Sequence, residues 1–238
     1  MDKEKSNTKI TENLKLVIFD FDGTLADTQT LILKTMMMAF DEMGMEPRTP
    51  EQCASMIGLP LTRICEALYQ DDSVELAERF AATYRHFFAV NNVPGVVTAF
   101  PGVKQTLQQM KQSGLLLSVA TSRTHASLNQ LATDLEINTF FDFMLGCEEV
   151  TNAKPHPEPV LRTLEALNVK PSETLVVGDA IYDILMGQRA GCHTCGVTYG
   201  NGTLHDIQSV NPTFIIHSFP QLLSLIKLTK VSGLSVTL

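Results

Sequence analysis

Apolar residues in this chain gather in two patterns. Some form short runs without polar alternation, beginning with Leu16-Val17-Ile18-Phe19. Similar runs follow at 115–122 (LLLSVATS), 141–145 (FDFML), 174–179 (TLVVGD), 193–200 (HTCGVTYG) and 213–218 (TFIIHS). Runs of this kind predict strands buried on both faces. Between them, apolar residues recur every three or four positions, the helical period. Val103, Leu107 and Met110 make one stripe, opened by Pro101 and closed by Gly114. Leu128, Leu131, Ala132 and Leu135 make a second, and Val160, Leu161, Leu164 and Leu167 a third. Ile181, Ile184 and Leu185 start a fourth, which ends near Gly191. Buried strands alternating with helices predict an α/β protein with a parallel sheet wound on both sides.

Residues 28–93 break that alternation. Segments 28–44, 49–58, 60–70 and 73–92 all read as helices, punctuated by Gly44, Gly58 and Pro94, with no strand expected among them. The expected organisation is a flexible tail (1–13), a core domain (14–27 and 95–238) and an inserted all-helical domain (28–94). Hinges are expected near Asp27 and within 94–100. The methionines of the insert (Met36, Met37, Met38, Met43, Met45, Met56) suit either packing or an adaptable wall over a substrate. Asp27 is expected to cap the first helix of the insert.

Composition narrows the function. The 238 residues are 44% hydrophobic and 18% charged, with net charge −8 and no basic block, which argues against a nucleic-acid partner. No apolar run reaches membrane-spanning length, and the charged N-terminal stretch lacks the apolar segment of a secretory signal. A cytoplasmic protein, away from membranes, is expected. The five cysteines, an odd number, then read as reduced thiols. Cys192 and Cys195 form a C-x-x-C, but it lies in a strand pattern after a glycine and no second pair follows at zinc-finger spacing, so buried inert thiols are expected.

The chemistry gathers at predicted strand ends. The first strand runs into Asp20-Phe21-Asp22-Gly23-Thr24, which alone could be a turn. The second ends at Thr121, followed by Ser122 and Arg123. Lys154 lies in the loop after the third, and the fourth ends at Gly178-Asp179 with Asp183 four residues on. Ligands of parallel α/β sheets bind beyond the carboxyl ends of the strands. Clustered carboxylates repel unless a cation sits among them, and hard oxygens select Mg²⁺, which also takes phosphate oxygens. A threonine hydroxyl and a lysine ammonium suit the phosphoryl group.

The segments DFDGT, VATSR, KPHPEP and GDAIYD resemble, in order, the four motifs of the haloacid dehalogenase superfamily, and the helical insert resembles its type-1 cap. The resemblance covers roughly residues 14–220. It implies a Rossmann-like core with Asp20 as nucleophile and Asp22 as general acid and base. Thr121 and Lys154 would hold the phosphoryl group, and Gly23, Thr24, Ser122 and Arg123 would surround the substrate. Mg²⁺ would be bound by Asp20, Asp179 and the backbone carbonyl of Asp22, with Asp183 reaching it directly or through water. Ala180 stands where the family usually has a small hydroxyl residue. Dehalogenating members lack the second aspartate, so Asp22 points to phosphoryl transfer. The stretch MIGLPLTRICEAL is most similar to the phosphoglycolate phosphatase group. The implied activity is hydrolysis of a small phosphorylated metabolite by a monomer or homodimer. A β-phosphoglucomutase-like mutase, an inorganic pyrophosphatase and a catalytically silent binding protein remain as alternatives. Mutases of this type carry an arginine where this chain has Leu61; the nearest, Arg63, either faces solvent or binds an anionic part of the substrate.

Overall fold

The computed structural model describes residues 13–226. The tail expected over 1–13 falls outside them except for Asn13, as does the end of the core segment, 227–238. The chain begins with β1 (Leu16–Phe19), β2 (Ala26–Asp27) and four helices, α1 (Gln29–Glu42), α2 (Pro50–Ala54), α3 (Leu61–Tyr69) and α4 (Val74–Asn91). Then come β3 (Thr98–Ala99), α5 (Val103–Gln112), β4 (Leu116–Ala120), α6 (His125–Asp134), β5 (Phe143–Leu145) and α7 (Glu158–Leu167). The chain continues through β6 (Thr174–Gly178), α8 (Ile181–Arg189), β7 (His193–Val197), α9 (Leu204–Ser209), β8 (Phe214–Ile216) and α10 (Leu222–Leu225).

Six strands form one parallel sheet in the order β5-β4-β1-β6-β7-β8. β1 is central. Leu16 to Phe19 lie opposite Leu116 to Val119 of β4 on one side and Thr174 to Val177 of β6 on the other. Successive side chains of a strand point to opposite faces, and β1 divides accordingly. Val17 and Phe19 join a cluster with Leu107 and Met110 of α5 and Leu128 of α6. Leu16 and Ile18 join another with Val160 of α7 and Met186 of α8. Helices therefore cover both faces, which is why β1 carries no polar residue. The strand order reverses at β1, and a crevice opens there at the carboxyl ends.

The helical segment between β2 and β3 packs largely through aromatic rings. Phe40 of α1 stacks on Phe80 of α4 (centroids 5.1 Å apart, planes at 19°) and meets Tyr69 of α3 edge-on at 5.5 Å. Met36 is buried in this packing, while Met43, Met45 and Met56 are partly buried against it.

Two local features differ from the sequence reading. β2 and β3 pair antiparallel, Ala26 opposite Ala99 and Asp27 opposite Thr98, where the chain enters and leaves the helical segment. Two-residue strands are too short to leave a periodic signal. Asp27 accordingly lies in β2 and does not cap α1. The N-cap is Thr28, whose hydroxyl is drawn away to Asp22. The C-x-x-C thiols follow the inert reading. Cys192 and Cys195 are buried and unbridged, and burial pushes both thiols up to about 12.

Candidate active site

Asp20 stands just beyond β1, Thr121 just beyond β4 and Asp179 just beyond β6, so three neighbouring strands deliver them to one edge. The loop between β5 and α7 brings Lys154, and the first turn of α8 brings Asp183. Lys154 Nζ donates to Asp20 Oδ1 at 2.6 Å and to Asp183 Oδ1 at 2.6 Å, with all three residues buried. Asp183 Oδ2 accepts the Ala180 N–H at 3.1 Å, which fixes it against the start of α8. Asp179 Oδ1 accepts from the Thr24 hydroxyl at 3.0 Å, and its Oδ2 accepts the Asn201 N–H at 2.7 Å.

Ligand-capable atoms of Asp20, Asp179 and Asp183 lie within 4.8 Å of one another. Burial raises the Asp20 carboxyl well above its ordinary value; Lys154 opposes that rise, while Asp183 and Asp179 add to it. Burial, then the charge of Asp183, lifts Asp179 to about 7. For Lys154, burial pulls the pKa down, but the Asp183 and Asp20 carboxylates outweigh it and the ammonium keeps its proton. One ammonium among three buried carboxylates leaves surplus negative charge on hard oxygen donors. A divalent cation fits that donor set.

The Asp22 carboxylate faces elsewhere. The Thr28 hydroxyl donates to its Oδ1 at 2.7 Å. Arg123 Nε reaches Oδ1 and Oδ2 at 2.9 and 2.7 Å, and Nη2 reaches Oδ1 at 2.6 Å. The Asp22 backbone carbonyl accepts from Asn201 Nδ2 at 3.4 Å. Gly23, with φ +82°, lets the chain turn here. A Cβ on it would lie 2.1 Å from Asp179 Oδ2 and 2.2 Å from Asn201 Nδ2.

A cavity of about 1050 Å³ separates the strand ends from the helices, with Asp20, Asp22, Thr121 and Lys154 on one side and Met36 and Phe88 on the other. The methionines thus divide: Met36 and Met56 line this cavity, and Met36 also belongs to the core. Ser122 and Arg123 line the cavity too, but each already has partners. The Ser122 hydroxyl donates to the Gly58 carbonyl at 2.7 Å, tying the edge of β4 to the helical segment. Thr24 is fully buried and supports Asp179 from outside the cavity lining. Arg63 lies on the cavity wall with its side chain 63% exposed, paired with Glu66 at 2.7 Å.

Three supporting residues were not singled out from the sequence. Asn201 holds Asp179 and touches the Asp22 carbonyl, and the Tyr199 hydroxyl donates to the Thr24 carbonyl at 2.9 Å. The signal for both was the Asn-Gly turn after a strand that ends at the same sheet edge. Glu158 accepts the Thr151 and Asn152 N–H groups at 2.9 Å each, gripping the loop that carries Lys154. Those two N–H groups hold the Glu158 carboxyl down to about 2.

Fold and site together define a Rossmann-like α/β enzyme with a carboxylate cluster at the switch point of its sheet. The profile of the haloacid dehalogenase-like hydrolases matches residues 17–197, and the chain belongs to that family. It is a hydrolase. Pyrophosphatase PpaX of Anoxybacillus flavithermus is 31% identical over 217 residues, spanning 91% of this chain and 99% of the relative. The phosphoglycolate phosphatase of Photorhabdus laumondii is 30% identical over 224 residues, spanning 93% and 96%. The crystal structure of a haloacid dehalogenase-like hydrolase from Bacteroides fragilis superposes with a TM-score of 0.83 at 26% identity, covering 88% of this chain and 99% of that one. No described helix is long and apolar enough to cross a membrane.

Proposed function

We propose that the chain is a cytoplasmic, Mg²⁺-dependent phosphatase that hydrolyses a small phosphorylated metabolite through an aspartyl phosphate on Asp20. The observation that carries this reading is the buried Lys154 ammonium bonded to both Asp20 and Asp183, with Asp179 beside them. Asp20, Asp179 and the Asp22 carbonyl would hold the cation, with Asp183 reaching it directly or through water. Bound Mg²⁺ would neutralise the carboxylates and polarise the phosphoryl oxygens.

Asp20 attacks phosphorus, an Asp20–O–P bond forms and the bond to the leaving oxygen breaks. Asp22 gives that oxygen its proton. It then takes a proton from the water that attacks the same phosphorus and frees Asp20. Lys154 and the Thr121 hydroxyl hold the transferring group as its charge spreads. Residues 28–94 act as the cap that selects the leaving group, across the hinges at β2 and β3. The relatives' names point to leaving groups such as glycolate or phosphate. A mutase is disfavoured because Leu61 supplies no charge for a second phosphate.

The test is phosphate release from phosphoglycolate, pyrophosphate and sugar phosphates, with Mg²⁺ or with chelator. Release should need Mg²⁺ and vanish on chelation. Undiminished release in excess chelator would refute the scheme. Conversion of β-glucose 1-phosphate to glucose 6-phosphate faster than phosphate release would make the enzyme a mutase.

A further inference from the structure

Both carboxylate oxygens of Asp22 are engaged, Oδ1 more heavily than Oδ2. Three contacts from Arg123 and one from Thr28 fall on its two carboxylate oxygens, and the side chains of Arg123 and Asp22 are only 10% and 13% exposed. Oδ1 takes the Thr28 hydroxyl and two Arg123 nitrogens and Oδ2 takes Arg123 Nε, so the guanidinium stands against both oxygens through which Asp22 would reach a leaving group.

The guanidinium itself is fixed by contacts that do not depend on Asp22. Its Cζ sits 4.5 Å over the centre of the Phe88 ring, and Nη1 donates to Ser127 Oγ at 3.1 Å. An aromatic face holds a guanidinium whatever anion the fork grips. Because Asp22 acts on the leaving oxygen, the leaving group must come within hydrogen-bond reach of Asp22, and therefore beside Arg123. The fork matches a carboxylate or a phosphate in the bidentate geometry it now gives Asp22. A neutral leaving group offers it no replacement. Lys154 has two of its three N–H groups on Asp20 and Asp183, and the third is the one that would hold the transferring phosphoryl group, so none is left for the leaving side.

We propose that Arg123 selects the leaving group: it exchanges Asp22 for a carboxylate or phosphate on the leaving side of the substrate, and the exchange frees Asp22 to act on the leaving oxygen. This inference rests on the phosphatase reading. It assigns Arg123 a role in specificity, and Phe88 the role of holding it in position.

The experiment compares wild type, Arg123→Met and Arg123→Lys on 2-phosphoglycolate, pyrophosphate and phenyl phosphate. The quantity read is the ratio of kcat/KM for each anionic substrate to that for phenyl phosphate. In Arg123→Met the ratio should fall by roughly 10- to 100-fold, the worth of one hydrogen bond to a charged group. Arg123→Lys, with a charge but no fork, should keep part of it. The arms with phosphoglycolate and pyrophosphate distinguish carboxylate from phosphate as the preferred anion. An unchanged ratio in both variants, or an equal fall for every substrate, would overturn the exchange, because Arg123 would then serve Asp22 alone. A parallel arm needs no turnover. Calorimetric binding of 2-phosphoglycolate and ethyl phosphate to Asp20→Asn, with and without Arg123→Met, should show the same loss of preference. If wild type releases no phosphate from any substrate, the phosphatase reading fails, and the binding arm still decides whether Arg123 selects an anion. Equal affinity for the two ligands in Asp20→Asn would reject it.

Discussion

Asp20 and Asp22 are one residue apart, yet their surroundings give them different work. Asp20 is bonded to Lys154 among Asp179 and Asp183, while Asp22 is held by Arg123 and Thr28. Asp20→Asn should therefore abolish turnover, since an amide is a poor nucleophile and a weaker cation ligand. Measurable aspartyl phosphate or near-normal turnover in that variant would move the nucleophile elsewhere. Asp22→Asn would remove the proton transfer, and with it the charge that Arg123 grips, and should cost about 10²–10⁴-fold in kcat through the proton transfer alone. That loss should shrink for p-nitrophenyl phosphate relative to an alkyl phosphate, because a good leaving group needs little protonation. Equal losses on both would mean that Asp22 does not protonate the leaving oxygen.

At the scale of elements, the long features were legible and the short or distant ones were not. The four inner strands of the large sheet were readable because burial on both faces removes polar alternation from a run such as Leu16–Phe19, and the partly buried edge strands β5 and β8 were readable as short apolar runs. The strand ends then located Asp20, Thr121 and Asp179 with no knowledge of strand order. The β2–β3 pair was invisible because two residues carry no period. The grip of Arg123 on Asp22 was invisible because nothing local links positions 101 residues apart. Asn201 was missed although its Asn-Gly turn marked a loop at the same edge. That loop and the Gly23 turn are packed against each other, which makes Gly23 sensitive. Gly23→Ala puts a methyl into the space of Asp179 Oδ2 and Asn201 Nδ2 on a left-handed backbone. It should cost ~1–3 kcal/mol of stability, read by thermal unfolding, and should weaken cation binding because Asp179 must shift. A Gly23→Ala variant with wild-type melting and unchanged Mg²⁺ affinity would show that the turn relaxes freely.

For the whole molecule, the carboxylate cluster links stability, pH and cation. Asp179 ordinarily titrates near 3.8, and in the folded chain near 7. Between those values the folded chain binds more protons than the unfolded one, so this group makes stability fall as pH rises from about 4 to about 7. A cation among the carboxylates replaces the missing protons and stabilises the folded form alone, by about 2.7 kcal/mol at a hundred times its Kd. For a chain of this size that is a shift in Tm of roughly 5–10 °C. The cation-free protein should thus melt lower at pH 8 than at pH 5, and Mg²⁺ should raise Tm more at pH 8 than at pH 5. The net charge of −8 adds a general repulsion that also grows with pH, so the comparison needs a control. Asp179→Asn supplies it: the variant should lose most of the Mg²⁺-induced shift and part of the pH slope, while the slope from overall charge remains and yields to added KCl. A Mg²⁺ shift of the same size at both pH values, or one retained in Asp179→Asn, would place the cation away from this cluster.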